Sequence, residues 1–460
     1  MLNKKFLERD AVLDTDEIIT LIQEHEASDD LARLVKLEKY FNAQNTAILN
    51  RQLVNSQDNN RIATPYCRYI TNTITGYFMG KDCVKYTFPE GFDEEGIRAL
   101  FRYNDEPAVN NAVAENMSIY GYGIEQIYLD RKGKFRFASV NPKNVIVLFE
   151  DNIDQDIHSV IKYNAYYLED EDVTKYQVDY YTPTEVKSYT FIDSLLVPES
   201  EESIINPYGD VPFIYYENAD AMGDFEPVIP LVDTYDKTIS NICNLFDYFN
   251  DAYLVFAGGD FEPKYDPETG DLINPLDEMK AKRCFTLPEG ATAEFLVKPN
   301  ITKDTLDLCA TMRDDIHKFS HCPDVSDEKF FGTSGIALRY KMTSLENLCS
   351  PKESRFRKGL YRRLEILCNF LSLKNREFDY EDVTIEFKRN FIEDLGDQFD
   401  TVLKLRDIIS KESLLERLPG VNVEVELERL QEEKERNIEE MQNQFPDNEE
   451  QLNLAKEEEQ

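Results

Sequence analysis

Gly76-x-x-x-Gly80-Lys81 is the stretch closest to a phosphate loop, in which backbone amides cradle phosphate and a lysine reaches its outer oxygens. The spacing is one residue short, and Asp82 stands where a serine or threonine would hold magnesium. A helix end followed by a sheet turn accounts for it better. His317 and His321 share a helix face at i, i+4 with Cys322 beside them, which is half of a metal site. No fourth ligand is evident and no glutamate follows His317, so surface or interface histidines are the simpler reading. Asp266-Pro-Glu-Thr-Gly-Asp271 gathers carboxylates around a glycine but lacks the D-x-D/N-x-D/N-G order of a calcium loop. A hairpin turn fits it. With 89 acidic residues, carboxylate pairs carry almost no catalytic information, and no G-x-S-x-G pattern is present. No catalytic, cofactor or metal residue is assigned, and the chain is not expected to be an enzyme.

The surrounding periodicities predict an α+β chain with a largely antiparallel sheet in its N-terminal half. Helices are expected over 14–22, 29–51, 61–75 with Gly76 as C-cap, and 107–119. A strand hairpin, 120–129 with 135–140, turns on Asp130-Arg-Lys-Gly133. Strands follow over 145–149, 159–167, 174–181, 185–191 and 212–217. Val228, Leu231, Val232, Tyr235, Ile239, Ile242, Leu245, Phe246 and Phe249 then keep a helical period, with Pro227 and Pro230 in the first turn. That helix is expected to pass straight into the apolar run 252–257 and a compact, turn-rich insertion. A second helix begins near Thr302 and ends before a Pro/Gly/Ser loop, 322–335. A long helix from 336 to about 374 is expected to break or kink at Ser350-Pro351. A strand over 384–387 and helices over 399–409 and 411–418 follow, with Ser410 a plausible cap.

Composition narrows the class. A chain of 460 residues with 42% hydrophobic content folds, and normally makes several domains. A formal net charge of −38 means that nucleic acid is not bound through the overall field. Eight cysteines without a C-x-x-C pair suggest reduced thiols in a cytosol-like compartment. No signal peptide or membrane-spanning run is read. The last segment, 424–460, carries 14 Asp/Glu against 4 Lys/Arg.

Several motifs, none specific alone, occur in one order from Tyr40 to Glu426. They are Tyr40-Phe41 through Ile48-Leu49-Asn50-Arg51, with Ala43 where glycine is usual, and Asn60-Arg61-Ile62 through Gly76-Tyr77-Phe78-Met79-Gly80-Lys81, with Asp82 replacing a proline. Ile119-Tyr120-Gly121 with Gly133 and Asn141-Pro142, Pro212-Phe213, Gly223-Asp-Phe-Glu226 and Ser334-Gly-Ile-Ala-Leu338 complete the set. Together they resemble the portal proteins of tailed bacteriophages, in the branch typical of siphophages of Gram-positive hosts.

That resemblance implies a ring of about twelve copies with closed symmetry at one capsid vertex. It assigns a wing to 1–224, stem helices to 225–257 and 302–323, a clip to 258–301 and a tunnel loop to 324–335. A kinked channel helix would occupy 336–379, a strand returning to the wing 380–395, and a crown with an acidic tail 396–460. Lys329, Phe330, Phe331, Gly332, Thr333, Ser334 and Gly335 would face double-stranded DNA in the channel. Phe261, Tyr265, Phe285 and Phe295 would form the small core of the clip, which docks the terminase large subunit and later the head–tail adaptor. Major capsid and scaffolding proteins are the other implied partners. No cofactor and no membrane are implied. The location would be the virion vertex, reached from the host cytoplasm. Negative channel walls would let duplex DNA slide, where a cationic bore would hold it by counterion release.

The channel helix departs from the bulk charge. Between Ile336 and Glu377 ten Lys/Arg face four Glu, a local net of +6. Arg339, Lys341, Lys352, Arg355, Arg357 and Lys358 are candidates for loose phosphate contact, or else form a solvated face or meet acidic neighbours in an oligomer. Two other classes stay open: another structural ring of the virion, such as a head–tail adaptor or capsid component, and a nucleic-acid enzyme subunit.

Overall fold

The computed structural model describes residues 4–52, 59–81, 83–89, 93–168, 173–192, 198–250, 253–258, 264–265, 267–270, 272–273, 290–296, 303–325, 335–372, 380–390, 410–415 and 423–444. The chain divides into two compact units, Met1–Val325 with Met342–Asn390, and Ser326–Lys341 with Phe391–Gln460.

The first unit opens with β1 (Lys5–Leu7), α1 (Thr15–Glu26), α2 (Asp29–Phe41), α3 (Thr46–Leu49) and α4 (Tyr66–Phe78). α1 starts at a capping box in which Asp14 accepts from the Glu17 amide and Glu17 accepts from that of Asp14. Then come β2 (Val84–Thr87), α5 (Glu94–Asn104), α6 (Glu106–Tyr120), β3 (Tyr122–Leu129), β4 (Phe135–Val140), β5 (Val145–Glu150), β6 (Ile157–Leu168), β7 (Val173–Tyr181), β8 (Glu185–Ile192), β9 (Ser200–Ile205) and β10 (Phe213–Glu217). The sheet β1-β5-β6-β7-β8-β9 is antiparallel except for β1, which runs parallel to β5. A second sheet orders β10-β3-β4. Ile18, Ile19 and Ile22 of α1 seal one side of the large sheet against Ile161, Val178, Tyr180 and Phe191.

Next are α7 (Ile229–Asn250), β11 (Tyr253–Ala257), β12 (Lys264–Tyr265), β13 (Leu272–Ile273), β14 (Thr292–Leu296), α8 (Lys303–Phe319), α9 (Gly335–Ser372) and β15 (Thr384–Phe387). β15 returns to pair antiparallel with β2. The main core joins Leu34 and Tyr40 of α2, Ile70, Ile74 and Phe78 of α4, Val113 and Met117 of α6, and Phe356, Leu360, Leu364 and Leu367 of α9. Gly359 lets α9 lie flush on β10, because a Cβ there would stand 2.1 Å from the Tyr216 ring. In the second unit, the Ser410 hydroxyl accepts from the Ser413 amide and caps α10 (Lys411–Leu415), and α11 (Val423–Gln444) follows. No helix among the described residues is long and apolar enough to cross a membrane.

Several expectations are corrected. The helix expected over 29–51 stops at Phe41, and Ala43 takes φ 55°, the left-handed conformation that glycine adopts without strain. The helix expected over 61–75 begins only at Tyr66, because the amides of Ile62 and Thr64 are bonded to side chains of α7. It runs on to Phe78, so Gly76 lies inside the helix and is not its cap. Tyr253–Ala257 does not prolong α7; it is a strand paired with Thr292–Leu296, as its β-branched and aromatic residues favour. α9 does not break at Pro351, where buried Leu345, Cys349, Phe356 and Leu360 hold both sides of the missing hydrogen bond. α5, β1 and β9 were not expected. Residues 391–409, which include the helix expected over 399–409, lie outside the described residues.

Candidate functional site

Within the first unit, polar contacts fasten α7 and the 342–372 stretch of α9 at three places. The first is the turn before α7. Gly223 can approach α6 because it lacks a Cβ, which would fall 2.3 Å from the Ile119 carbonyl. The Asp224 amide donates to the Ser118 carbonyl at 2.8 Å, and its carboxylate receives the Lys352 ammonium at 2.5 Å. Phe225 is buried, and Glu226 takes the Arg33 guanidinium through both oxygens at 2.7 and 2.5 Å. Each position of the Gly-Asp-Phe-Glu motif therefore has a separate structural task.

The second place is a ladder along α7. The extended segment 60–64 lays alternate amides against side chains four residues apart on the helix. Asn60 donates to Asn244 at 2.8 Å, Ile62 to Ser240 at 3.0 Å and Thr64 to Asp236 at 3.1 Å. Two extended residues advance about 6.6 Å and four helical residues about 6 Å, so the two periods stay in step over three rungs. Asp236 also accepts from the Thr64 hydroxyl at 2.6 Å and from Asn45 at 2.5 Å. Burial pushes its pKa up, and these hydrogen bonds pull against that shift.

The third is Arg363 of α9, which is fully buried. Its guanidinium donates to both oxygens of Glu125 at 2.7 and 2.8 Å, to Glu106 at 3.3 Å and to Asn110 at 2.7 Å. It lies 4.3 Å from the centroid of the Phe137 ring. Tyr216 and Tyr86 donate their hydroxyls to the same two carboxylates at 2.6 and 2.8 Å. Burial works against the arginine's charge, yet Glu125, followed by the two phenols, holds its pKa well above the ordinary value.

These pairs change the reading of the basic helix. Lys352 leaves the set of candidate phosphate contacts, because its ammonium is buried against Asp224. Arg357 binds Glu353 and lies over the Phe387 ring. Arg362 is held by Asp210 and Glu365. Arg355 donates to the Asn218 carbonyl at 3.1 Å yet remains exposed, as does Lys358. Arg339 and Lys341 lie in the first turns of α9. Much of the local +6 is thus matched by acidic residues of the same subunit.

The two histidines do not converge. His317 Nδ1 bonds the Cys322 carbonyl at 3.1 Å, and its ring meets the edges of Tyr66 and Tyr69. His321 takes φ 56° and turns to the Ser344 hydroxyl at 2.8 Å. Tyr69 also holds the chain leading to the loop, donating to the Pro323 carbonyl at 3.1 Å and accepting from the Val325 amide at 3.0 Å. Burial pushes the thiols of Cys322 and Cys349 up to about 12. Lys329, Phe330, Phe331, Gly332, Thr333 and Ser334 lie outside the described residues, and Gly335 opens α9. Of the four aromatics expected to form a core in the insertion, Tyr265 is 74% exposed. Phe295 pairs through its backbone with Leu254, while Phe261 and Phe285 lie outside the described residues.

The sequence matches the family described as phage portal protein, SPP1 Gp6-like, over residues 21–440. The chain belongs to that portal family. It is 24% identical over 460 residues to the portal protein of Bacillus phage SPP1, covering 91% of this chain and 86% of that one. It is 22% identical over 438 residues to the portal protein of Clostridium phage phiCD119, covering 88% and 93%. Among solved structures, a chain in the neck of a native GTA particle gives a TM-score of 0.46 at 11% identity, covering 85% of this chain and 93% of that one. A chain in the neck of an empty GTA particle gives 0.43 at 10%, with 84% and 93% covered. The polar anchors therefore belong to a portal subunit, a structural protein of the virion.

Proposed function

We propose that copies of this chain close into a ring of about twelve around a channel for double-stranded DNA, with heterologous contacts between neighbours. The observation that carries this reading is the portal-family match over residues 21–440 of a 460-residue chain. The described body supports it as a rigid frame for long helices. Leu308 and Phe319, both exposed, stand eleven residues apart, three turns of α8, and so form one unburied face. Phe246 is likewise exposed on α7. Neighbouring copies are the natural cover, and their apolar burial offsets repulsion between subunits of charge −38.

In this reading the wing is 1–224, the stem 225–257 and 302–323, the clip 258–301, the tunnel loop 324–335, the channel helix 336–379, the returning strand 380–395 and the crown 396–460. The clip docks the terminase large subunit during packaging and the head–tail adaptor afterwards. Scaffolding and major capsid proteins surround the ring during assembly in the host cytoplasm. The subunit has no catalytic step of its own; ATP hydrolysis is the terminase's.

Lys329→Glu tests the loop assignment. The rings are expected to assemble normally, while DNA packaged per assembled procapsid falls severalfold. Wild-type rate and length of packaging in this variant would remove the loop from the channel.

A further inference from the structure

The turn between β3 and β4 is the most cationic exposed feature among the described residues outside α9. Within six residues it carries Arg131, Lys132, Lys134 and Arg136, on a chain of net charge −38. None of the four forms an ion pair among the described residues, and the one carboxylate in their midst is turned inward. Asp130 accepts the amides of Lys132 and Lys134 through one oxygen at 2.8 and 2.9 Å, and the Tyr103 hydroxyl through the other at 2.6 Å. The tyrosine hydrogen bond, then those amides, hold the Asp130 carboxyl below its ordinary range, so it stays an ionised anchor. Lys134 and Arg136 pack over the Tyr103 ring at 4.4 and 4.8 Å, and Arg136 donates to the Tyr103 carbonyl at 3.0 Å. The tip is therefore preorganised, with Arg131 and Lys132 exposed and in no ion pair among the described residues. Tyr128, exposed on the adjoining strand and opposite Arg136 in register, adds apolar surface on the same face.

We propose that this hairpin tip docks an acidic amphipathic segment of another protein. Lys134, just before β4, and Arg136 on that strand both lie over the Tyr103 ring, so their charges stand together and can meet carboxylates one helical turn apart, about 6 Å, on a single helix face. Tyr128, on the same face as Arg136, gives such a segment's apolar side a contact that a phosphate backbone cannot use. Duplex DNA suits the site less well. It presents a charge every ~1.7 Å to only four cations, against the field of an acidic chain, and the Tyr103 ring is already covered.

The test uses the full-length protein and two labelled probes: a synthetic helical peptide with glutamates at i, i+4 and a leucine stripe, and a short DNA duplex. The wild type is expected to bind the peptide more tightly than the duplex. Arg131→Glu with Lys132→Glu, both exposed turn positions, should weaken peptide binding about tenfold or more by placing like charges together. Tyr103→Phe, which keeps every cation but frees Asp130, should weaken it less. Unchanged peptide binding in the double variant overturns the proposal, and so does equal or tighter binding of the duplex. Loss of subunit assembly in that variant also overturns it, by making the occupant a second copy of this chain.

Discussion

Arg363→Met is expected to cost about 3–5 kcal/mol, because it leaves buried carboxylates without their counter-charge. Glu125 is wholly buried and Glu106 nearly so, and the guanidinium bridges them while also satisfying Asn110. Methionine fills the volume but donates nothing. Arg363→Lys should rescue little, since an ammonium cannot reproduce the two parallel bonds to Glu125. Adding Glu125→Gln to Arg363→Met should recover part of the loss, because the worst buried charge is then gone. The midpoint of chemical unfolding and the yield of soluble protein check this. A midpoint near wild type for the single variant would mean that the cluster is hydrated.

Asp236→Ala should have the next largest effect. It strands the Thr64 amide and hydroxyl, both part-buried, and one proton of buried Asn45, for which the lost acceptor costs about 1–3 kcal/mol. The loss should be local before it is global: segment 60–64 should release from α7 while the sheet carrying α1 stays intact. Hydrogen exchange reads this directly, as faster exchange of the Ile62 and Thr64 amides without a change in β6 or β7. Ser240→Ala, which removes one acceptor at a single rung, should give a smaller change confined to Ile62. Unaltered exchange at both amides in Asp236→Ala would show that the ladder does not hold the segment.

The sequence reveals the elements more readily than their fastenings. The β3–β4 hairpin, the long helix α7 and the start of α8 follow from local periodicity and turn chemistry, which a single sequence displays. The partners of Arg363 do not, because Glu125 and Glu106 lie more than 200 residues away. One sign was available: Arg363 falls in the stripe Phe356, Leu360, Leu367, Phe370, where a charge without a partner would be intolerable. Ile62 and Thr64 read as part of a helix, since the acceptors that hold them extended are supplied by α7 and not by their neighbours in sequence. Lys352 reads as a candidate phosphate contact for the same reason; Asp224 is 128 residues away. The Gly-Asp-Phe-Glu motif, in contrast, is recognisable from the family resemblance alone, and its geometry explains why each residue type is used.

Electron microscopy of the purified full-length protein tests the central claim most directly. The account predicts face-on closed rings with a central opening wide enough for duplex DNA and a subunit number near twelve. A stable, folded monomer at micromolar concentration, with no closed rings in any field, would contradict it.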